Sequence, residues 1–271
     1  MSILNEIMRG LWLLETVDPQ AYKSIANNIL TGGQINLEKP QCYSIIGRNE
    51  MNSRGESELK DQVSVIRMIG EITKTSGMCN YGMDYICSEF LKAEANSDIK
   101  GHILMTDGPG GNADAMPLVL ALKSQLKKPV VALVDRACSL HYWTICELAE
   151  HIMMSNDLTA EVGSIGAMIA FQKPANELII IRPEESKDKN QAMIDALEGN
   201  YELLEQKLKP LAIAFQNGVK ANRPQVKAET LHGKTYYAKE AIELGLADSI
   251  GDMQKAYNLV LTKSELRNIN K

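Results

Sequence analysis

From residue 62 onward, short apolar runs alternate with amphipathic segments, and this alternation constrains the fold of the 271-residue chain more than any other feature. The spacing predicts strands over residues 63–69, 102–106, 130–134, 152–154 and 178–181. It predicts helices over residues 83–95, 113–125, 139–149, 192–222 with a break at Pro210, 237–244 and 253–261. Continuous apolar strands that alternate with helices are typical of a sheet covered on both faces. The sequence therefore predicts an α/β fold.

The first 60 residues follow a different pattern. Apolar residues recur at helical spacing within residues 1–32, which predicts a helix there. Residues 31–58 are polar and rich in Gly, Asn and Ser, as expected for a loop or linker. We therefore divide the chain into a helical N-terminal segment with its linker, residues 1–60, and a main domain, residues 61–271.

Composition and charge narrow the class of protein. The formal net charge of −5 gives no support for a nucleic-acid partner. No apolar run approaches the roughly 18 residues that span a bilayer, and Glu6, Arg9 and Glu15 interrupt the N-terminus, which argues against a secretory signal. Five cysteines without a C-x-x-C pair and four scattered histidines predict reduced thiols and no metal site. We expect a cytoplasmic protein without membrane or nucleic-acid partners.

A glycine-rich turn, Asp107-Gly108-Pro109-Gly110-Gly111, follows one predicted strand and precedes a predicted helix. Glycine permits close approach of backbone to a ligand, and such a turn can aim free N–H groups at an anion. The alternative is a plain tight turn, because Gly-Pro pairs mark turns in many proteins.

Ser139 lies where the next predicted strand gives way to a helix. Its hydroxyl could act as a nucleophile near the helix N-terminus, or it could cap the helix. Leu140 could donate its N–H to an oxyanion. His141 is two residues from Ser139 and therefore points to a nearly opposite helix face. We interpret His141 as a lining or packing residue and not as the base.

A general base is harder to find. Lys187 and Lys189 lie in a charged stretch after the last predicted strand. A buried lysine can lose its proton near neutral pH and activate a serine, whereas a lysine in a charged loop is more often a solvated surface residue. Ser164, in Gly163-Ser164-Ile165-Gly166, could orient such a lysine, or it could belong to a tight loop between strands.

Five motifs in this order resemble the peptidase family of signal peptide peptidase A, and still more closely its bacteriophage head-maturation proteases. The matching stretches are residues 107–111, 128–132, 137–143, 163–166 and 233–251. The resemblance implies a Clp/crotonase-like fold with repeated ββα units over residues 61–271. It implies a Ser/Lys peptidase that needs no cofactor. The implied site comprises the nucleophile Ser139, the oxyanion donors Gly110 and Leu140, the base Lys187 with Lys189 as the alternative, and Ser164 assisting the lysine.

The chain departs from the family pattern at several places, among them a longer interval from Trp143 to Gly163. Gly108 replaces the usual serine, and Leu140-His141 replaces a pair of small residues beside the nucleophile. The glycine expected before the lysine is replaced by Glu184 or Glu185. These departures leave open an inactive relative that keeps the fold.

The resemblance implies a homo-oligomeric endopeptidase that processes capsid or scaffold proteins during phage or prophage head assembly. Three alternatives remain open. The first is a cytosolic protease that degrades peptides in the manner of signal peptide peptidase. The second is a crotonase-like acyl-CoA enzyme that uses the same oxyanion hole. The third is a non-catalytic assembly or scaffold protein.

Overall fold

The computed structural model describes residues 12–14, 41–77, 81–169 and 180–269. Its strands are β1 Trp12–Leu14, β2 Tyr43–Met51, β3 Ser57–Ile69, β4 Ile99–Gly108, β5 Gly110–Asn112, β6 Val130–Cys138, β7 His151–Met154, β8 Glu161–Gly163, β9 Thr235–Tyr237 and β10 Ser249–Ile250. Its α-helices are α1 Met83–Ala95, α2 Met116–Lys123, α3 Leu140–Leu148, α4 Gln191–Glu198, α5 Glu202–Asn222, α6 Ala238–Glu243 and α7 Met253–Ile269. Short 3₁₀ turns cover Ala113–Ala115, Glu184–Ser186 and Ala228–Leu231.

Eight strands of the described residues form one mixed sheet, in which the order along the main path is β10-β7-β6-β4-β3-β2. From β10 to β3 all neighbours on this path are parallel, and β2 pairs antiparallel with β3 as a hairpin. The strand β6 changes partner along its length: its first half pairs with β7, and residues 136–138 pair with β8. The strand that leads to Ser139 is therefore held by two different neighbours.

Both faces of the sheet are buried. Because successive strand residues point to opposite faces, Val63 and Val65 pack with Val260 of α7, whereas Ile66 and Met68 join the larger apolar cluster. Helices α1, α2, α3 and α5 contribute to that larger cluster. The predicted α/β class is confirmed, and the covered faces explain why its strands are continuously apolar.

The N-terminal part differs from the prediction. Trp12–Leu14 is a strand and not part of a helix, and the other residues of the predicted helix over residues 1–32 lie outside the described ones. The loop predicted over residues 31–58 is wrong from Tyr43 to Met51, which form a hairpin with β3. Five of these nine residues are exposed, so their sequence lacks the apolar alternation that would have revealed a strand.

The long helix predicted over residues 192–222 is two helices. The interruption lies at Gly199, which ends α4, and not at Pro210, which lies within α5. The strand predicted over residues 178–181 lies mostly outside the described residues, and Ile180 and Ile181 are not in a strand.

A Ser–His–carboxylate chain is buried between α1 and the sheet. The Ser64 hydroxyl is 2.7 Å from Nδ1 of His102, and Nε2 of His102 is 2.9 Å from Oε2 of Glu94. Ser64 and His102 are fully buried. Burial lowers the pKa of His102, although the neighbouring Glu94 carboxylate opposes this shift. The chain links β3, β4 and α1, and because no substrate can reach Ser64 its role is structural.

Candidate active site

Ser139 has an unusual backbone conformation. It lies between β6 and α3 with φ 55° and ψ −118°, which is outside the regions that non-glycine residues normally adopt. Its N–H donates to the carbonyl of Gly163 (2.9 Å), and its own carbonyl accepts from the N–H of Trp143 (3.0 Å). Such a conformation costs about 1–3 kcal/mol and persists where the surroundings enforce it, often at functional sites. This observation supports Ser139 as more than a helix cap.

The glycine turn lies beside Ser139 because β4 and β6 are parallel neighbours whose carboxyl ends meet. The register pairs Gly108 at the end of β4 with Ala137 near the end of β6. Gly110 has φ 127°, and its carbonyl accepts from the N–H of Ile72 (3.0 Å). A Cβ atom on Gly111 would overlap the Ile72 carbonyl. The second glycine of the pair is therefore required by the close approach of these two segments.

The Gly163-Ser164 loop approaches Ser139 from β8. Cys138 pairs with Gly163, and Ser164 is buried with φ 54°. The N–H of Ser164 donates to the carbonyl of Lys234 (2.8 Å). The structure thus brings Ser164 to the same edge of the sheet as Ser139. The contacts of Lys234 and Ile72 were not identified from the sequence, because they use main-chain atoms, which carry no residue-type signal.

Leu140 is the first residue of α3, and it is fully buried. The N–H groups of a first helical turn have no acceptor within the helix and carry the positive end of its dipole. Leu140 therefore has the position expected of an oxyanion donor beside Ser139. Gly110 provides the second predicted donor from the neighbouring strand end.

The imidazole of His141 lies where a side chain at position 108 would be. His141 is fully buried, and a Cβ atom on Gly108 would overlap its imidazole and lie 2.5 Å from the Gly70 carbonyl. Neither ring nitrogen of His141 makes a hydrogen bond of normal geometry to the described residues. Burial lowers the pKa of His141 to about 3, so the ring is neutral near pH 7. Two departures from the family pattern thus compensate for each other, since the missing side chain at Gly108 makes room for His141.

The residues after His141 anchor α3 behind the site. The Tyr142 hydroxyl donates to the carbonyl of Leu246 (2.9 Å), in the last of the five matched motifs. The Trp143 ring stacks on Phe215 of α5 with a centroid distance of 4.9 Å. These contacts explain why an aromatic pair follows the serine: it fixes the helix on which the oxyanion donor lies.

Both predicted lysines are exposed in this structure. The Lys187 side chain is 67% exposed, and its ammonium lies 3.5 Å from the Glu184 carboxylate. Lys189 is exposed, and its carbonyl accepts from Arg182. Within the described residues no hydrogen bond joins either lysine to Ser139. The residues of the preceding connection, 170–179, lie outside the described ones. The assignment of the base therefore stays a prediction.

The described residues contain neither a metal-binding cluster nor a membrane-spanning helix. No group of three or more His, Cys, Asp or Glu side chains is arranged to hold a metal ion there. In the same part of the chain, no helix combines the length and the apolar character needed to cross a bilayer.

The chain is similar to known serine proteases. It is 23% identical over 223 residues to the chloroplastic serine protease SPPA of Arabidopsis thaliana, which covers 76% of this chain and 33% of the plant protein. It is 31% identical over 120 residues to the head-tail preconnector protein GP5 of Enterobacteria phage P21, which covers 42% of this chain and 23% of the phage protein. The chain thus spans a third or less of either curated relative. No protein-family profile matches it.

Among solved structures, the chain is similar to a mutant of the 1510-N membrane-bound stomatin-specific protease in complex with a substrate peptide. The TM-score is 0.48 at 19% identity, and the match covers 75% of this chain and 80% of that chain. The two sequence relatives confirm the resemblance to peptidases of the signal peptide peptidase A type and its connection with a phage head protein.

Proposed function

We propose that the chain is a serine-type endopeptidase in which Ser139 is the nucleophile. The observation that carries this proposal is the enforced conformation of Ser139. It lies beside the Gly110 turn and immediately before the Leu140 N–H, as acyl transfer requires. The sequence similarity to a serine protease supports the same reaction.

In the proposed mechanism, a neutral lysine takes the proton from the Ser139 hydroxyl, and Oγ attacks the carbonyl carbon of a peptide bond. The N–H groups of Gly110 and Leu140 stabilise the negative charge that develops on the carbonyl oxygen. The lysine then gives the proton to the leaving amine, and an acyl-serine ester remains. Water, deprotonated by the same lysine, hydrolyses this ester and regenerates Ser139.

We assign the base to Lys187, with Lys189 as the alternative and Ser164 as the residue that orients it. A lysine base must lose most of its hydration, whereas Lys187 is exposed here. The proposal therefore requires the segment around Lys187 to move to Ser139, or a neighbouring copy of the chain to supply the lysine. We propose a homo-oligomer in the cytoplasm, whose substrates are capsid or scaffold proteins of a phage or prophage head.

The nucleophile is tested by Ser139→Ala. We expect cleavage of a capsid or scaffold substrate to fall by about 10⁴-fold or more, because removal of the nucleophile leaves only binding and the oxyanion hole. A fluorophosphonate probe should label the wild-type protein at Ser139 and leave the variant unlabelled. Ser124→Ala is the matched control, since this serine is exposed and its hydroxyl donates to the backbone carbonyl of Ala121 (2.9 Å).

Unchanged cleavage in Ser139→Ala would contradict the peptidase assignment. Mixing inactive Ser139→Ala with inactive Lys187→Ala protein locates the base: restored activity means that one chain supplies the serine and another the lysine. Full activity of Lys187→Ala would show that Lys187 is not the general base and would favour Lys189.

A non-catalytic role in assembly is the second candidate, because both lysines are exposed and neither is hydrogen-bonded to Ser139 within the described residues. Failure of the probe to label Ser139 at any pH, with and without the assembled head proteins, would favour this candidate.

A further inference from the structure

The short strand β5, which follows the glycine turn directly, is paired on both of its edges. On one edge the N–H of Ile72 donates to the Gly110 carbonyl (3.0 Å), and the N–H of Asn112 donates to the Ile72 carbonyl (2.8 Å). Because the polar groups of successive strand residues point to opposite sides, those of Gly111 point to the other edge. That edge is occupied by β1, in which Leu13 pairs with Gly111.

The position of β1 relative to the site is specific. The two strands run antiparallel, so Leu14 pairs with Gly110 and Trp12 with Asn112. Gly110 is the residue whose N–H we assign to the oxyanion hole. A segment of the chain itself, in extended conformation, therefore passes directly beside the residue that supplies this donor.

An extended peptide binds to a protein most simply by adding a strand to an exposed sheet edge, where main-chain hydrogen bonds supply affinity with little dependence on sequence. At β5 the Ile72 edge is closed by two backbone hydrogen bonds. The edge that pairs with β1 is the only one left for a substrate within the described residues. One edge accepts one strand at a time, so β1 and a substrate exclude each other.

We propose that β1 is a built-in competitor of the substrate, which must leave the β5 edge before an extended peptide can reach Ser139. This inference rests on the proposed function and adds its regulation. The occupant is the uncharged segment Trp12-Leu13-Leu14. A partner or a cleavage that removes β1 would convert the chain from a resting to a substrate-accepting form.

The test uses Leu13→Pro, because proline has no N–H and cannot hold a central ladder position. Leu13→Ala is the matched control, since it shortens the side chain and keeps the backbone donor. Both changes are made in Ser139→Ala protein, and the probe is a fluorescein-labelled peptide with the sequence of residues 10–16. We expect the proline variant to bind the peptide about tenfold more tightly than the control, the factor that corresponds to one or two backbone hydrogen bonds. Amide hydrogen exchange at Gly111 should become faster in the proline variant alone.

Equal peptide affinity and equal protection of Gly111 in the two variants would overturn the inference. Deletion of residues 12–14 removes the competing strand altogether and serves as the second variant, should Leu13→Pro fail to fold. Fluorophosphonate labelling of Ser139, in chains that keep this serine, separates the two proposals. Labelling of Ser139 together with equal peptide affinities would support the peptidase and refute the competition by β1. Tighter peptide binding by Leu13→Pro without labelling of Ser139 would support the competition and refute the peptidase.

Discussion

His141 and Gly108 show at the scale of single residues how a departure from a family pattern can be tolerated. The imidazole occupies the space that a side chain at position 108 would need. The family's serine at one position and small residues at the other would fill this region differently. We therefore expect a substitution at one of the two positions to destabilise the fold unless the other position is changed as well.

Gly108→Ala tests this coupling. We expect it to lower the free energy of unfolding by about 1–3 kcal/mol, the usual cost of an overpacked core. Combined with His141→Ala, the loss should be smaller than the sum of the two single losses by about 1 kcal/mol. Part of the destabilisation remains in the double variant, because the new Cβ atom at position 108 still overlaps the Gly70 carbonyl. Urea denaturation measures all four proteins, and Gly166→Ala, where nothing lies within 4 Å, is the control. Strict additivity would show that the residues are not coupled.

His141 also predicts a pH dependence of stability. Its pKa is about 3 in the folded chain and about 6.5 when exposed, so between these values the unfolded chain binds more protons. Stability should therefore rise with pH from about 3 to 6.5. His141→Leu should flatten this rise by up to about 1.4 kcal/mol per pH unit, as measured by denaturation at pH 4, 5, 6 and 7. Equal slopes in His141→Leu and in the wild-type chain would refute the assignment.

At the scale of elements, Glu147 joins three helices. Its carboxylate accepts from the Trp143 indole of α3 (3.1 Å), the Lys123 ammonium of α2 (2.8 Å) and the Asn222 amide of α5 (2.9 Å). The glutamate is nearly buried, so each donor would lose a partner that water does not fully replace. The network fixes α3, whose first residue we assign to the oxyanion hole.

Glu147→Ala should lower the free energy of unfolding by about 2–4 kcal/mol, because it leaves several donors without an acceptor. Urea denaturation measures the loss. Glu150→Ala is the control: this surface carboxylate contacts Lys263 and Arg267 of α7, and such pairs contribute about 1 kcal/mol or less. Losses of equal size in the two variants would mean that the network does not hold the helices together.

At the scale of the whole molecule, local sequence patterns predicted the helices and strands well where a segment buries one face or all of its surface. Helix α1 has the predicted bounds, residues 83–95, and α3 differs from its prediction by one residue at each end. The apolar runs that ended at Thr106 and Val134 correctly indicated β4 and β6. Each of these segments buries its own apolar residues, so its sequence alone carries the signal.

The arrangement of the candidate active site could be predicted less completely from local sequence patterns. Ser139 and the glycine turn were identified from their neighbours in sequence, and the structure places them side by side through the parallel pairing of β4 and β6. The strained backbone of Ser139, the pairing of β1 with β5 and the exposed position of Lys187 depend on contacts with remote segments. Contacts with remote segments leave no periodic pattern in the local sequence. For the same reason the helical spacing within residues 1–32 did not predict the strand β1.

The bonds that shape the Ser139 turn have a consequence for the order in which the molecule matures. The Ser139 N–H needs the carbonyl of Gly163, and Ser164 in turn needs the carbonyl of Lys234, 70 residues further along. Contacts between distant segments form late in folding, because loop closure must come first. A ribosome-bound chain that has emerged only as far as α5 contains Ser139 and Gly163 but lacks the Lys234 carbonyl that holds the Ser164 loop. In the proposed peptidase, the candidate site would therefore be incomplete until residue 234 has left the ribosome.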